Sequence, residues 1–223
     1  MQHVNLMILT PGHSLMAQYV KSLLPTIQVL NQMGISWGYS SEYSSHVADA
    51  REITLNGSKV NNISDSRPFG GQITYDKILW IDSDIAWKPE DVLKLYNSDK
   101  DVIGGAYMIS NGQITAYREL FGPGFTPEEI KNMTEPVKVF GLGFGFACMK
   151  SGVFEKLQRP WFQQVWGTKE IEGQEFSFPL VGEDLSVCHR LNEAGVEIWF
   201  DPTVRVTHHK MVELPWDGQI KLL

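Results

Sequence analysis

The sequence predicts an α/β domain with a mainly parallel central sheet flanked by helices. Three observations predict it. Short apolar runs closed by turn residues alternate with longer segments whose apolar residues recur at helical spacing. The order strand, helix, strand, helix builds parallel strands covered on both faces. The length and composition, 223 residues with 43% hydrophobic and 20% charged, suit one large core with at most a modest appendage.

Taken in order, residues 4–9 are a buried strand closed by Thr10-Pro11-Gly12. Over residues 14–33, Leu15, Tyr19, Leu23, Ile27 and Leu30 keep one helical face apolar, and Gly34 supplies the stop. Pro25 falls inside this run, which predicts a kink or a pair of helices. Residues 35–39 read as a second strand, the serine-rich stretch 40–45 as a loop, and 47–55 as a helix. The apolar strand 75–81 runs straight into Asp82-Ser83-Asp84. Pro89 opens a helix over 89–96, with Glu90 and Asp91 in the first turn where the helix dipole favours them. A strand follows over 101–108. Residues 110–136, rich in Gly, Pro and Thr, read as an insertion with a short helix near 127–132. Next come a glycine-punctuated strand over 137–149, a short helix over 152–157 and a polar, glycine-broken loop over 170–179. A helix over 183–194 carries Leu185, Cys188 and Leu191 on one face, and short strands over 196–200 and 204–207 complete the series.

Charge and cysteine usage narrow the function classes. The formal net charge of -7 argues against nucleic acid or anionic lipid as the main partner, because binding polyphosphate needs a surplus of Lys and Arg. One small phosphorylated ligand stays open, since a divalent cation can supply positive charge locally. Cys148 and Cys188 make neither a disulfide framework nor a zinc site; they read as buried thiols in a reducing compartment. The N-terminus lacks a basic region followed by a long apolar run, and no stretch reaches the roughly 18–20 apolar residues that cross a bilayer. A cytoplasmic protein without a transmembrane segment is the expectation.

Four groups of residues carry candidate chemistry. Asp82 and Asp84 leave the end of a strand, where ligands of open α/β sheets bind. Two carboxylates one residue apart suit a hard cation that also holds a diphosphate, although Asp and Ser are equally common in turns before a helix. Glu183 and Asp184 open a helix, either complementing its dipole or presenting a general base to an acceptor hydroxyl. His208 and His209 follow the last strand; neighbouring side chains there point to opposite faces, so one of the two can complete a metal site. Gly104, Gly105, Gly141, Gly143 and Gly145 lie within or beside strands, where glycine marks close approach by a ligand or by crowded aromatics. Trp161, Phe162 and Trp166 are available for stacking on sugar rings or for packing a core.

The ordered set resembles the GT-A class of glycosyltransferases, and family 2-like bacterial and phage enzymes in particular. The segments that carry the resemblance are Thr10-Pro11-Gly12, Ala48-Asp49-Ala50-Arg51, YDKILWIDSD ending at Asp84, VIGGAY ending at Tyr107, GLGFGFACM ending at Met149, Pro160-Trp161-Phe162, Gly182-Glu183-Asp184 and Val206-Thr207-His208. The resemblance spans nearly the whole chain and implies a single Rossmann-like GT-A domain. Residues 1–109 would bind the nucleotide-sugar and 110–223 the acceptor, with a C-terminal tail. It implies that Thr10, Pro11 and Gly12 hold the base, helped by residues 40–42, and that Arg51, Asp82, Ser83, Gly104, Gly105 and Gly143 line the donor. Asp82, Asp84 and His208 would bind Mn2+ or Mg2+, with His208 favoured over His209 by its spacing from Val206. Asp184 would be the base of an inverting transfer, Glu183 its neighbour, and Trp161 and Phe162 part of the acceptor side. The implied partners are a UDP- or GDP-type sugar donor and a carbohydrate or other hydroxyl acceptor. Residues 170–179 and 210–223 are candidates for closing over the donor. Two other functions compete. A nucleotidyltransferase acting on sugar phosphates would want basic residues after the first strand, where Thr10-Pro11-Gly12-His13-Ser14 offers none that is Arg or Lys. A carbohydrate-binding or assembly protein of the same fold would lack turnover.

Overall fold

A computed structural model describes residues 2–56, 65–179 and 182–210, and the backbone of 212–213 and 221–222. Seven strands form the central sheet, numbered here in chain order. They are β1 (Gln2–Leu9), β2 (Trp37–Ser40), β3 (Ile73–Ile81), β4 (Val102–Ala106), β5 (Val137–Val139), β6 (Phe146–Lys150) and β7 (Ile198–Arg205). The spatial order is β2-β1-β3-β6-β4-β7-β5. Strands β1, β2, β3, β4 and β7 share one direction, while β6 runs against both β3 and β4 and β5 runs against β7. The sheet is thus mainly parallel with antiparallel strands in its middle and at one edge.

Period-two alternation sends successive side chains to opposite faces, and each face has its own core. Leu6, Ile8, Leu79, Ile81 and Phe146 pack against helices α1 (Ala17–Gln32) and α3 (Pro89–Asn97). Met7, Leu9, Ile78, Trp80 and Ala147 pack on the other side, with α2 (Val47–Asn56) and α4 (Glu183–Glu193). A strand buried on both faces must be apolar throughout, and Ile78 to Ile81 are fully or almost fully buried up to the residue before Asp82.

Pro25 does not divide α1, which is one helix. Pro25 is exposed, so the carbonyl that its missing N–H leaves unbonded can be solvated. The buried stripe of α1 includes three hydroxyls, and all are used: Tyr19 bonds to Thr10, Ser22 Oγ accepts from the Trp87 backbone N–H (3.0 Å) and Thr26 Oγ1 from Trp87 Nε1 (2.9 Å).

Three expectations change. The stretch 137–149 is not one strand. It breaks into β5, the two-residue strand Gly141–Leu142 and β6, because Gly141 and Gly143 pass so close to α4 and to Tyr107 that a side chain there would collide. Gly141–Leu142 pairs instead with Ala116–Tyr117, tying the 110–136 insertion to the sheet. Residues 196–207 hold one long strand rather than two: β7 continues through Asp201-Pro202-Thr203 with a register shift against β4. Residues 170–179, expected as a loop, belong to an antiparallel hairpin of Trp166–Ile171 and Gln174–Pro179, whose residues are exposed apart from Gly167. The other lid candidate, 210–223, lies outside the described side chains beyond Lys210. Cys148 and Cys188 are buried free thiols, and among the described residues no helix is long and apolar enough to cross a membrane.

Candidate active site

The parallel strands end on the same side, and the residues that follow β1, β3, β4 and β7 converge there. A cleft of about 630 Å³ is lined by Pro11, Arg51, Asp82, Ser83, Asp84, Tyr107, Gly143, Glu183, Asp184 and His208, among others. That is the size range of small-molecule and cofactor sites.

Arg51 is the centre of the cleft's electrostatics. Its side chain is 2% exposed, and its guanidinium lies over Trp80 (5.5 Å) and Phe144 (6.0 Å). Three carboxylates meet it: Asp82 Oδ1 is 3.0 Å from Nη2, Glu183 Oε1 is 2.8 Å from Nε, and Asp184 Oδ1 is 3.1 Å from Nε. Fully ionised, that set would carry two more negative charges than positive. Burial, then the charges of Glu183 and Asp82, push the Asp184 carboxyl well above the usual carboxylate range, against the pull of Arg51. Burial also works against the Glu183 charge, but Arg51's charge and hydrogen bond outweigh it and hold Glu183 low. The pair therefore divides into one ionised partner for Arg51 and one carboxyl that keeps its proton to higher pH. Asp184 Oδ2 accepts from the Phe144 backbone N–H (2.8 Å), which fixes its orientation. Among the described residues Arg51 Nη1 and Asp184 Oδ1 are buried without a hydrogen-bond partner, so both retain capacity for a ligand.

The second group is Asp84, His208 and Lys210. The two-residue strand Thr207–His208 pairs antiparallel with Ile85–Ala86, placing His208 opposite Ile85. The His209 backbone N–H donates to the Asp84 carbonyl (2.8 Å). This ladder brings the His208 ring to the carboxylate 124 positions away: Nε2 is 3.1 Å from Asp84 Oδ2. Of the two histidines, it is the His208 ring that faces Asp84. Lys210 Nζ reaches the same oxygen at 2.8 Å. Burial alone would raise Asp84, but the hydrogen bonds from His208 and Lys210 outweigh it and hold its carboxyl at about 2.

Whether a hard divalent cation fits can be judged from the ring. His208 Nδ1 lies 2.9 Å from the Met108 carbonyl, so both ring nitrogens face acceptors. A neutral imidazole has one N–H and satisfies one of them. A cation on Nε2 and Asp84 Oδ2 would satisfy the other, with Met108 orienting the ring from behind as backbone carbonyls do for ligating histidines. A carboxylate oxygen and an imidazole suit Mn2+, and Mg2+ or Mn2+ characteristically complete their shells with water and phosphate. Asp82, expected as a third ligand, is bonded to Arg51, and among the described residues no group of three His, Cys, Asp or Glu is gathered as a metal cage.

Other expected site residues divide between cleft and core. Pro11, Ser83 and Gly143 line the cleft. Gly12 abuts Ser83, where an added Cβ would meet Oγ at 3.0 Å. Thr10 is buried and its hydroxyl bonds to Tyr19 (2.5 Å). Gly104 and Gly105 are sheet-interior positions kept small for Leu142 and Val204. Trp161 and Phe162, expected on the acceptor side, are 0% and 3% exposed and pack with Trp80, Phe144 and Phe154. Truncating such buried rings costs about 3–5 kcal/mol, which marks them as core. Three cleft features have no site role assigned from the sequence: Tyr107, whose hydroxyl accepts from the Gly145 N–H (3.0 Å) beneath His208; Lys210, placed only in the 210–223 lid candidate; and the insertion residues Glu119, Leu120 and Phe121. Lys210 had a signal, since a residue two past His208 in extended chain shares its face.

No protein-family model and no curated protein matches the sequence. Solved structures do match. A197 from STIV aligns over 100% of this chain and 94% of its own, at 20% identity and a TM-score of 0.53. GalNAc-T7, solved with UDP, GalNAc and Mn2+, aligns over 92% of this chain and 43% of its own, at 12% identity and a TM-score of 0.46. The full-length likeness to A197 is one of fold, and the central mainly parallel sheet with helices on both faces is a GT-A-like α/β fold.

Proposed function

We propose that the chain is a glycosyltransferase that takes a sugar from a UDP- or GDP-type nucleotide-sugar and passes it to an acceptor hydroxyl. The observation that carries this reading is the meeting of Arg51, Asp82, Asp84, Glu183, Asp184 and His208, from distant parts of the chain, in one cleft at the ends of parallel strands. Residues 1–109 supply the donor side, with Pro11, Gly12 and Ser83 against the nucleotide and Arg51 and Asp82 against its sugar. Residues 110–223 supply the base, the imidazole and the acceptor wall.

Asp84 and His208 are the residues that would hold Mn2+ or Mg2+. When bound, the ion neutralises charge building on the departing diphosphate. Arg51 Nη1, without a hydrogen-bond partner among the described residues, donates to a hydroxyl of the donor sugar, and Glu183 keeps the guanidinium fixed. Asp184 takes the proton of the acceptor hydroxyl as the oxygen attacks the anomeric carbon from the face opposite the diphosphate. A carboxyl with a raised pKa is a stronger base than an exposed one and better matched to this work near neutral pH. Direct attack inverts the anomeric centre. The half-exposed ring of Phe121, which lines the cleft, forms the acceptor wall in place of Trp161 and Phe162, backed by Phe178 at 6.1 Å.

The test is a panel of UDP- and GDP-sugars incubated with the protein, with and without Mn2+, reading the released nucleotide and the anomeric configuration of the product. Expected are Mn2+-dependent release of a nucleoside diphosphate and an inverted product. Conversion of a sugar nucleotide to a nucleoside triphosphate and a sugar 1-phosphate when pyrophosphate is added would make the chain a nucleotidyltransferase, and nucleotide binding without turnover of any sugar nucleotide would make it a binding protein. A retained anomer would remove Asp184 from the role of direct base.

A further inference from the structure

We infer that Lys210 is a built-in counter-cation for Asp84, which releases that carboxylate to a divalent ion only when a diphosphate takes the ammonium in exchange. The inference rests on the metal and nucleotide reading above and adds to it a rule of entry: ion and nucleotide bind well together and poorly apart.

One oxygen bears the whole arrangement. Asp84 Oδ2 is 2.8 Å from Lys210 Nζ and 3.1 Å from His208 Nε2, so the ammonium already stands where a divalent ion bound to Asp84 and His208 would add its charge. A metal–oxygen bond of roughly 2 Å to that atom would set the ion and the ammonium on one carboxylate, whose single negative charge cannot balance three positive ones. Both cannot stay. His208 cannot yield, because the ladder with Ile85–Ala86 and the Met108 carbonyl hold its ring. Lys210 can: its side chain is 42% exposed, against 10% for His208 and 23% for Asp84. Its four-carbon stem turns freely, and its ion pair is with Asp84.

The direction of the swing follows from charge. Lys210 lines the same cleft as Asp84, and a diphosphate bound there presents the strongest anion within its reach. Metal alone must evict the ammonium into water and lose its ion pair with Asp84. Metal with a diphosphate lets Lys210 exchange one anion for another. The coupling is reciprocal, so the nucleotide tightens the metal by the factor by which the metal tightens the nucleotide.

The experiment measures Mn2+ binding by the loss of the free-ion electron paramagnetic resonance signal, in the full chain, without nucleotide and with UDP or GDP. Wild type, Lys210→Met, Lys210→Arg and Asp84→Asn are compared, and a melting curve without metal checks that each is folded. Lys210→Met is expected to bind Mn2+ alone more tightly than wild type, by about 5- to 150-fold, the usual span of such couplings. The extra affinity contributed by nucleotide should shrink to match. Lys210→Arg, which keeps the charge, should behave as wild type, and Asp84→Asn should lose Mn2+ binding. If Asp84→Asn loses Mn2+ while Lys210→Met binds it no more tightly than wild type, the exchange is overturned and the metal site stands. If Asp84→Asn binds Mn2+ as wild type does, the metal site itself falls, and the exchange with it.

Discussion

Arg51 places one positive charge at a buried point where three carboxylates converge, and this imbalance makes Asp184 unusual. The stability consequence has a definite sign. Asp184's folded pKa is raised above its ordinary value of 3.8, so between that value and the raised one the folded chain holds more protons than the unfolded chain. Stability therefore falls as pH climbs through that window, and the full penalty is present above it. Asp184→Asn removes the penalty, keeps an oxygen for the Phe144 N–H and leaves Arg51 paired with Asp82 and Glu183. The variant should melt above wild type at pH 7.5, with the difference closing as pH approaches 4. For a chain of this length each 1 kcal/mol appears as roughly 2–4 °C in Tm. Transfer should drop by about 10²- to 10⁴-fold, the usual contribution of a general base. A melting point below wild type at pH 7.5 would show an ionised Asp184 serving Arg51 as a structural counter-ion. The pairing itself was not legible: the sequence marks 51, 82, 183 and 184 as polar positions beside apolar runs, but which carboxylate the guanidinium takes is decided by tertiary approach.

Among the elements, legibility tracked burial. Strand β3 was readable because Ile78 to Ile81 are buried on both faces, so the apolar run ends where the cleft begins, at Asp82. Residues 170–179 read as a loop, although they belong to the hairpin of Trp166–Ile171 and Gln174–Pro179, because both faces of the hairpin meet solvent and its composition is correspondingly polar. Its turn did leave a trace: Glu172 and Gly173 both have positive φ (52° and 79°), the conformation that two-residue hairpin turns require. The insertion offers Phe121, also at positive φ (62°) and with its ring against Phe178 of the hairpin. A bulky residue in that region costs about 1–2 kcal/mol, and the strain is sustained where the ring is most exposed. Phe121→Gly separates backbone from ring. It relieves the strain, offset in part by the greater freedom glycine gives the unfolded chain, so Tm should stay within a few degrees of wild type. Hydrolysis of the donor by water should be unchanged. KM for an accepted sugar acceptor should rise by about 2- to 13-fold, the worth of one aromatic contact of 0.5–1.5 kcal/mol. Unaltered acceptor kinetics would move the acceptor wall away from Phe121 and the hairpin.

At the scale of the molecule, the fold explains why the cleft lies where it does and its charge explains what the cleft needs. Five strands share one direction, and Thr10, Asp82, Tyr107 and Val206 each follow the carboxyl end of one of them, so residues from four strand ends meet without any of them being near another in sequence. Alternation of strands and helices made this layout readable from the sequence. The antiparallel insertion of β6 between β3 and β4 was not, because that pairing depends on long-range contacts rather than on local pattern. The chain as a whole carries a net charge of -7, which repels an anionic nucleotide at long range. Within the cleft Arg51 is already committed to three carboxylates and Lys210 to a fourth, so little free positive charge awaits a diphosphate. A nucleoside diphosphate alone should therefore stabilise the fold little, and together with Mn2+ strongly. At 100 times its Kd a ligand adds about 2.7 kcal/mol, which at 2–4 °C per kcal/mol predicts a rise of roughly 5–11 °C in Tm. The measurement is a thermal melt with UDP and with GDP, each with Mn2+, with Mg2+ and with neither ion. The two nucleotides should differ, identifying the base that the strand β1 turn accepts, and raising ionic strength without Mn2+ should not restore the shift. An equal shift with and without the divalent ion would mean that the protein's own cations suffice for the diphosphate, and Asp84 and His208 would then have no ion to hold.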